Sequence, residues 1–418
     1  MEKSISKPFG LAYLFPIIIM CYTFSVLWGW YPVTHTIYVM LIGMVVALLE
    51  CKSYYEKKQF VFLIWYEAIL CLNLLMGDPL YAETTGYLYQ MMGVAMTSMM
   101  GFYMLRTREY SIAKITLYML MIMLIVNAVG SAIIDVSFPG SIRAVVTDYH
   151  NTGNQKLAYS FYKYGLASYS LPHAIPVIIP ILVYGIKVVT EKSLRLFFII
   201  VLAACLALCY FGGSTTALLI GVFAFTISLF TSPKQGGRQV AMFVFFAIIM
   251  VVIMSNDDIV LAILEWFDNL IGGEGYFHKK VIDFEYSIMN NDVSGSAVEG
   301  RSRLYGMSLD AIITNPFFGT NEDVMGHHSV LLDHWASLGI IGFFPFALFI
   351  YLQLKDSYKT IPQNSRYFYI EGCLVGVMML LVKNTGDWEM WLFMFLLLPL
   401  IAQYVGKYQG KETLPNKK

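Results

Sequence analysis

Twelve windows of 17 to 23 mostly apolar residues recur along this chain, at 11–29, 33–50, 60–77, 86–105, 112–134, 172–189, 195–211, 214–231, 239–255, 334–353, 367–384 and 388–405. Each is long enough to cross roughly 30 Å of hydrocarbon. In lipid a spanning segment has to satisfy its own backbone polar groups, so the windows predict helices. Together they predict one polytopic all-α membrane domain over residues 1–418. A composition of 58% hydrophobic and 13% charged residues, with a mean hydropathy of +0.63, excludes a soluble domain of this length. The first window follows Lys3 and Lys7 as a signal peptide would. It lacks a small-residue cleavage site and runs straight into the second window, so it is read as a helix.

The basic residues sort the connecting segments. With both termini cytoplasmic, only Arg143, Lys156, Lys163, Lys279, Lys280, Arg301, Arg303 and Lys383 of the 28 Lys and Arg fall on the external side. That side nevertheless owns the two longest loops, 135–171 and 256–333. Positive-inside bias and the even number of spans therefore agree. Lys and Arg balance Asp and Glu, so net charge points to no partner. The six cysteines lie in or beside apolar windows, and no disulfide framework follows. Cys205 and Cys209 share a helix face, a spacing that reads as packing.

Long loops in compact proteins usually carry function. In the larger one, "DDIVLAILEWFDNLIGGEG" places Val260, Ile263, Leu264, Phe267 and Leu270 on an amphipathic helix ended by Gly272-Gly273. Such a helix is expected to lie on the external membrane face. "YFHKKVIDFEYSIMNN" predicts a second helix, and "GRSRLYGMSLDAIITNP" a third, stopped by Asn315-Pro316. On the third, Arg303 and Asp310 lie nearly on one face, and Arg301 pairs with Tyr305 at i, i+4.

The residues able to do chemistry gather in these loops. Arg143, Arg301 and Arg303 offer guanidinium groups that stay charged and bind phosphate oxygens bidentately. His328 offers an imidazole able to take a proton from a hydroxyl. The combination suits a phosphate-bearing lipid reacting with a hydroxyl acceptor. Arginines that only grip lipid headgroups or nearby acids would have the same composition. His327, Glu299, Asp323 and Tyr305 are secondary candidates, with Glu322 a further possible base. A metal site is not expected: His327 and His334 are seven residues apart, about 10.5 Å along a helix, and Asp323 with His327 supplies only two ligands. Tyr149, Tyr159, Phe161, Tyr162, Tyr164 and Tyr169 fit sugar stacking or membrane-interface anchoring. No Walker, GxGxxG, HExxH or CxxC pattern occurs.

The stretch "RSRLYGMSLDAIITNPFFGTN", followed by "HSVLLDHWASLGIIGFF", resembles the signature of the O-antigen ligase and O-antigen or capsular polysaccharide polymerase superfamily (Wzy/WaaL-like). The matching positions are Arg301 or Arg303, Pro316, Gly319, His328, Ser329, Gly339 and Gly342, over about 44 residues. The resemblance implies a GT-C-like fold of about 12 spans, with the large external loop between spans 9 and 10. It implies a bacterial cytoplasmic (inner) membrane enzyme with its site on the periplasmic or extracellular side and no metal or other cofactor. Donor and acceptor would be glycans on undecaprenyl pyrophosphate, with a flippase and a chain-length regulator as partners and no nucleic acid. By resemblance the arginines hold the pyrophosphate, and His328 acts as base or acceptor-positioning residue. One departure stands out. Many members of that superfamily carry a Ser-Arg pair near "FGGSTTALL", where this chain has Ser214-Thr215-Thr216 and no arginine. Either another arginine supplies that phosphate contact, with Arg143 the candidate, or the donor is bound differently.

Three other functions compete with a polymerase. A ligase would pass the glycan to lipid A-core. A flippase or transporter would place charges along the spans and often show two related halves. Here the middles of the spans are nearly free of ionisable residues and no half-repeat is evident. A non-catalytic assembly partner would have no use for His328.

Overall fold

A computed structural model describes residues 10–23, 34–76, 84–107, 110–137, 171–212, 214–232, 257–271, 299–320, 329–383 and 388–412, with isolated helical positions between 241 and 282. Among the described residues the regular structure is helical, with no strand element. The helices are α1 (Phe15–Thr23), α2 (Thr34–Glu50), α3 (Lys58–Met76), α4 (Thr84–Arg106), α5 (Tyr110–Ser137), α6 (Leu171–Val188, with a 3-10 turn at Ile175–Ile178), α7 (Lys192–Phe211), α8 (Thr215–Phe230), α9 (Asp257–Ile271), α10 (Glu299–Thr314), α11 (Val330–Thr360) and α12 (Arg366–Val382). The last, α13, joins Trp388–Leu392 to Leu398–Glu412 through a π-helical turn at Phe393–Leu397.

Among the described residues seven helices are long and apolar enough to cross a membrane, and three shorter apolar helices accompany them. The protein's described residues are thus all-helical and of membrane character. Eleven of the twelve apolar windows overlap described helices, seven of which are of membrane-crossing length and hydropathy, and the window at 239–255 lies largely outside the described residues. The expected loops are slightly shorter than the windows imply, because α5 continues to Ser137 and α11 already begins at Val330. The predicted helix at 276–291 lies mostly outside the described residues.

The core gathers around α4, whose side chains from Val94 to Leu105 are almost all buried. Its sequence mixes Met, Gly, Ser and Thr among apolar residues, and small residues let helix backbones approach closely in membranes. At Gly101 a Cβ would stand 2.1 Å from the Phe395 carbonyl oxygen, so α4 meets the π-helical turn of α13 backbone to backbone.

Hydrogen bonds fix the relative direction of the central helices. Gln59 and Asn73 of α3 meet Asp356 and Ser337 of α11, so these two run antiparallel. Gln90 and Leu105 of α4 meet Trp391 and Gln403 of α13, so those two run parallel. Helix α11 starts at the loop end of the bundle and finishes at its far end. Contrary to the expectation of nearly uncharged spans, Glu67 lies midway along α3 with its Oε1 buried and unbonded among the described residues. Glu371 of α12 is buried too, and accepts from Thr231 Oγ1 at 2.5 Å.

Candidate active site

The stretch that carries the signature folds as α10, a turn and the first part of α11. Asn315-Pro316 stops α10 as its sequence requires, since proline supplies no amide for a further turn. Residues 315–320 then dock against α11 where that helix breaks. At Gly339 the backbone takes φ +58° and ψ −176°, a combination outside the helical region and open to glycine alone at little cost.

The break frees backbone groups, and the turn uses them. The carbonyl of Ala336 accepts from the Thr320 amide at 2.9 Å. The amides of Ile340 and Ile341 donate to the Pro316 and Phe317 carbonyls at 2.9 and 3.3 Å. Buried backbone groups need such partners, so break and turn stabilise one another. Contact this close needs glycine on both sides. A Cβ at Gly319 would lie 1.9 Å from the Ser337 carbonyl oxygen, and one at Gly339 would lie 2.2 Å from that of Phe317. Gly342 serves a different contact, where a Cβ would stand 3.0 Å from Ile69 of α3. Of the signature's glycines, Gly319 and Gly339 therefore form a backbone dock.

Nearer the loop end the same two helices are joined by side chains. Ser329 caps α11, its Oγ accepting from the Leu332 amide at 3.2 Å. Asp333 reaches back to accept from the Ser329 amide at 2.9 Å and across to accept from Ser308 Oγ of α10 at 2.6 Å. Ala311, Ile312 and Ala336 pack between these bonds and the dock, with Leu332 and Trp335 over them. The start of α11 is also tied to the end of α12, through the Val330 amide and the Lys383 carbonyl at 3.2 Å.

Side by side, α10 and α11 keep a nearly constant register. Arg303 lies five residues before Ser308, about 7.5 Å along the axis, and Ser329 four residues before Asp333, about 6 Å. Arg303 and the cap Ser329 thus stand at almost the same level, and Arg303 is exposed there. Asp310 is exposed as well, in keeping with the shared face read from the spacing. Tyr305 has a structural partner: its hydroxyl donates to the Val382 carbonyl at 2.7 Å, fastening α10 to α12. Glu299 and Arg301 belong to the first turn of α10, and their side chains lie outside the described residues. Arg143, Glu322, Asp323, His327 and His328 also lie outside them.

Beneath the cap runs a chain of buried hydrogen bonds that sequence reading missed. His334, which entered above only as a metal candidate, is wholly inside. Its Nδ1 donates to the Val330 carbonyl at 2.7 Å, and in the neutral ring this leaves Nε2 to accept from the Tyr66 hydroxyl at 2.9 Å. Tyr66 accepts from Gln90 Nε2 at 3.3 Å, and Gln90 Oε1 accepts from Trp391 Nε1 at 3.0 Å. The Phe346 ring stacks on His334 and Tyr66 at 4.7 and 4.6 Å. The chain joins α3, α4 and α13 to the first turn of α11. Only its residue types were visible beforehand, because two of its links join residues 268 and 301 positions apart.

At the departure from the signature, Ser214 caps α8 and its Oγ is bonded to Nε2 of the buried His173 at 2.7 Å. Among the described residues no three His, Cys, Asp or Glu gather as metal ligands would, and all six cysteines are free. The amphipathic helix α9 exists, with Ile259, Trp266 and Leu270 exposed and Asp268 buried against His278 Nδ1 at 2.6 Å. The chain matches no protein-family model and no curated protein.

Proposed function

We propose that this chain is a membrane polysaccharide polymerase, an inverting glycosyltransferase that joins repeat units carried on undecaprenyl pyrophosphate. In this reading twelve spans of GT-C type put both termini in the cytoplasm and α10 on the external face of a bacterial inner membrane. The observation that carries it is the α10–turn–α11 unit. Pro316, Gly319, Ser329 and Gly339, four positions of the signature, meet in one interlocked element. That element sets the exposed Arg303 level with the cap residue next to His328 in sequence.

The chemistry needs few parts. Arg303, Arg301 and Arg143 meet the negative charge developing on the pyrophosphate, where fixed cations count most. His328 orients the acceptor hydroxyl and takes its proton. The acceptor oxygen attacks the anomeric carbon opposite the pyrophosphate. The new C–O bond forms as the old one breaks, and the electron pair leaves on the polyprenyl pyrophosphate. One in-line displacement inverts the centre, and no covalent nucleophile takes part.

Deleting the gene and resolving the surface glycan tests the reading. A polymerase predicts loss of the ladder with a single repeat unit retained. Complete loss of glycan from lipid A-core would assign a ligase instead, and an unchanged ladder would overturn both.

A further inference from the structure

We infer that Asp333 is a positioning residue of this site, holding the start of α11 and the arginine-bearing α10 at one fixed spacing. The inference rests on the functional reading above. Asp333 is 2% exposed, and both its carboxylate oxygens are used. Oδ2 takes the Ser329 amide at 2.9 Å, and Oδ1 takes the Ser308 hydroxyl at 2.6 Å. One acceptor group thus grips the residue that adjoins His328 and the helix that bears Arg303. A carboxylate suits this place, since negative charge is favoured at a helix N-terminus and accepts hydrogen bonds on both oxygens.

The dock's bonds, to Ala336, Ile340 and Ile341, all lie beyond Asp333, on the side away from the start of α11. Two helices joined at one level can still splay at the other. The Ser308–Asp333–Ser329 bridge joins the two helices directly on the side where the proposed chemistry happens, beside the bonds by which Tyr305 and Val330 tie each of them to α12. It moves no proton in this account and touches no substrate.

Asp333→Asn separates position from charge. Its Oδ1 can still take the Ser329 amide, and its Nδ2 can donate to Ser308 Oγ. The Ser308 hydroxyl then keeps its bond to the Leu304 carbonyl, already present at 3.3 Å. Asp333→Ala removes both contacts. The experiment uses the full chain in nanodiscs, with hydrogen–deuterium exchange at Ser329 and Val330, thermal melting, and kcat and KM on lipid-linked repeat units. Asp333→Ala should exchange faster at these amides and lose roughly 10- to 100-fold in kcat, with KM within about twofold. Asp333→Asn should stay within about threefold of the natural chain in both readouts. Ser308→Ala, which leaves the cap intact, should shift kcat the same way by about threefold and covers the case that Asp333→Ala does not fold.

Natural exchange and kcat in Asp333→Ala would overturn the inference, as would natural kcat in Ser308→Ala. An Asp333→Asn protein as inactive as Asp333→Ala would also overturn it, because charge would then matter rather than placement. If the natural chain makes no polymer, the functional reading fails by itself, and the exchange pattern of the variants still decides whether Asp333 sets the spacing.

Discussion

The two ends of α11 are fastened by opposite means. At the loop end the helix breaks at Gly339 and pairs backbone to backbone with the turn after α10. At the far end it is unbroken and held by charge. Arg106 NH2 lies 2.8 Å from Asp356 Oδ2, Gln59 donates to the same oxygen at 3.0 Å, and the guanidinium sits 4.1 Å over the Phe102 ring. Tyr54 and Ser98 hold Gln353 one turn away. A backbone dock fixes position through shape, because no atom can be added on either side. A charged latch tolerates shape changes and fails when one partner is lost. The lesson is that geometry is controlled most tightly at the end where the proposed reaction lies.

The comparison can be broken from either end. The largest effect is expected for Gly339→Ala, where a Cβ would meet the Phe317 carbonyl and φ is +58°. It should destabilise the fold by more than about 3 kcal/mol and abolish polymer, read by thermal melting in detergent and by glycan ladders. Asp356→Ala comes next. It leaves the Arg106 charge buried and should cost about 3–5 kcal/mol in the same melting assay. Whatever protein survives should still make a normal ladder, and a lost ladder in well-folded protein would erase the contrast between the ends.

Arg303→Lys should leave melting unchanged, because the side chain is exposed, and cut polymer yield about tenfold for want of bidentate phosphate contacts. A full-length ladder in this variant would favour lipid-headgroup binding instead. Tyr305→Phe is the mildest change. Losing its bond to Val382 should cost about 1 kcal/mol and only slightly reduce yield.

What could be read from sequence was whatever follows from local pattern. Apolar length marked α3 and α5 within two or three residues, and Asn315-Pro316 marked the end of α10. The dock escaped, since nothing in "SLGIIGFF" distinguishes a glycine needed at positive φ from one that merely packs. Asp333 escaped because its importance lies in a partner on another helix. His334 was weighed as a ligand because residue type is visible in sequence, whereas the Tyr66 that occupies its Nε2 is 268 positions away.

Reconstitution tests the central claim most directly. The natural chain and His328→Ala would each be placed in liposomes with undecaprenyl-pyrophosphate-linked repeat units, matched for amount and melting. The account predicts polymer of inverted linkage from the natural chain and none above background from His328→Ala. Equal polymer from both, or none from the natural chain with authentic substrate, would contradict it.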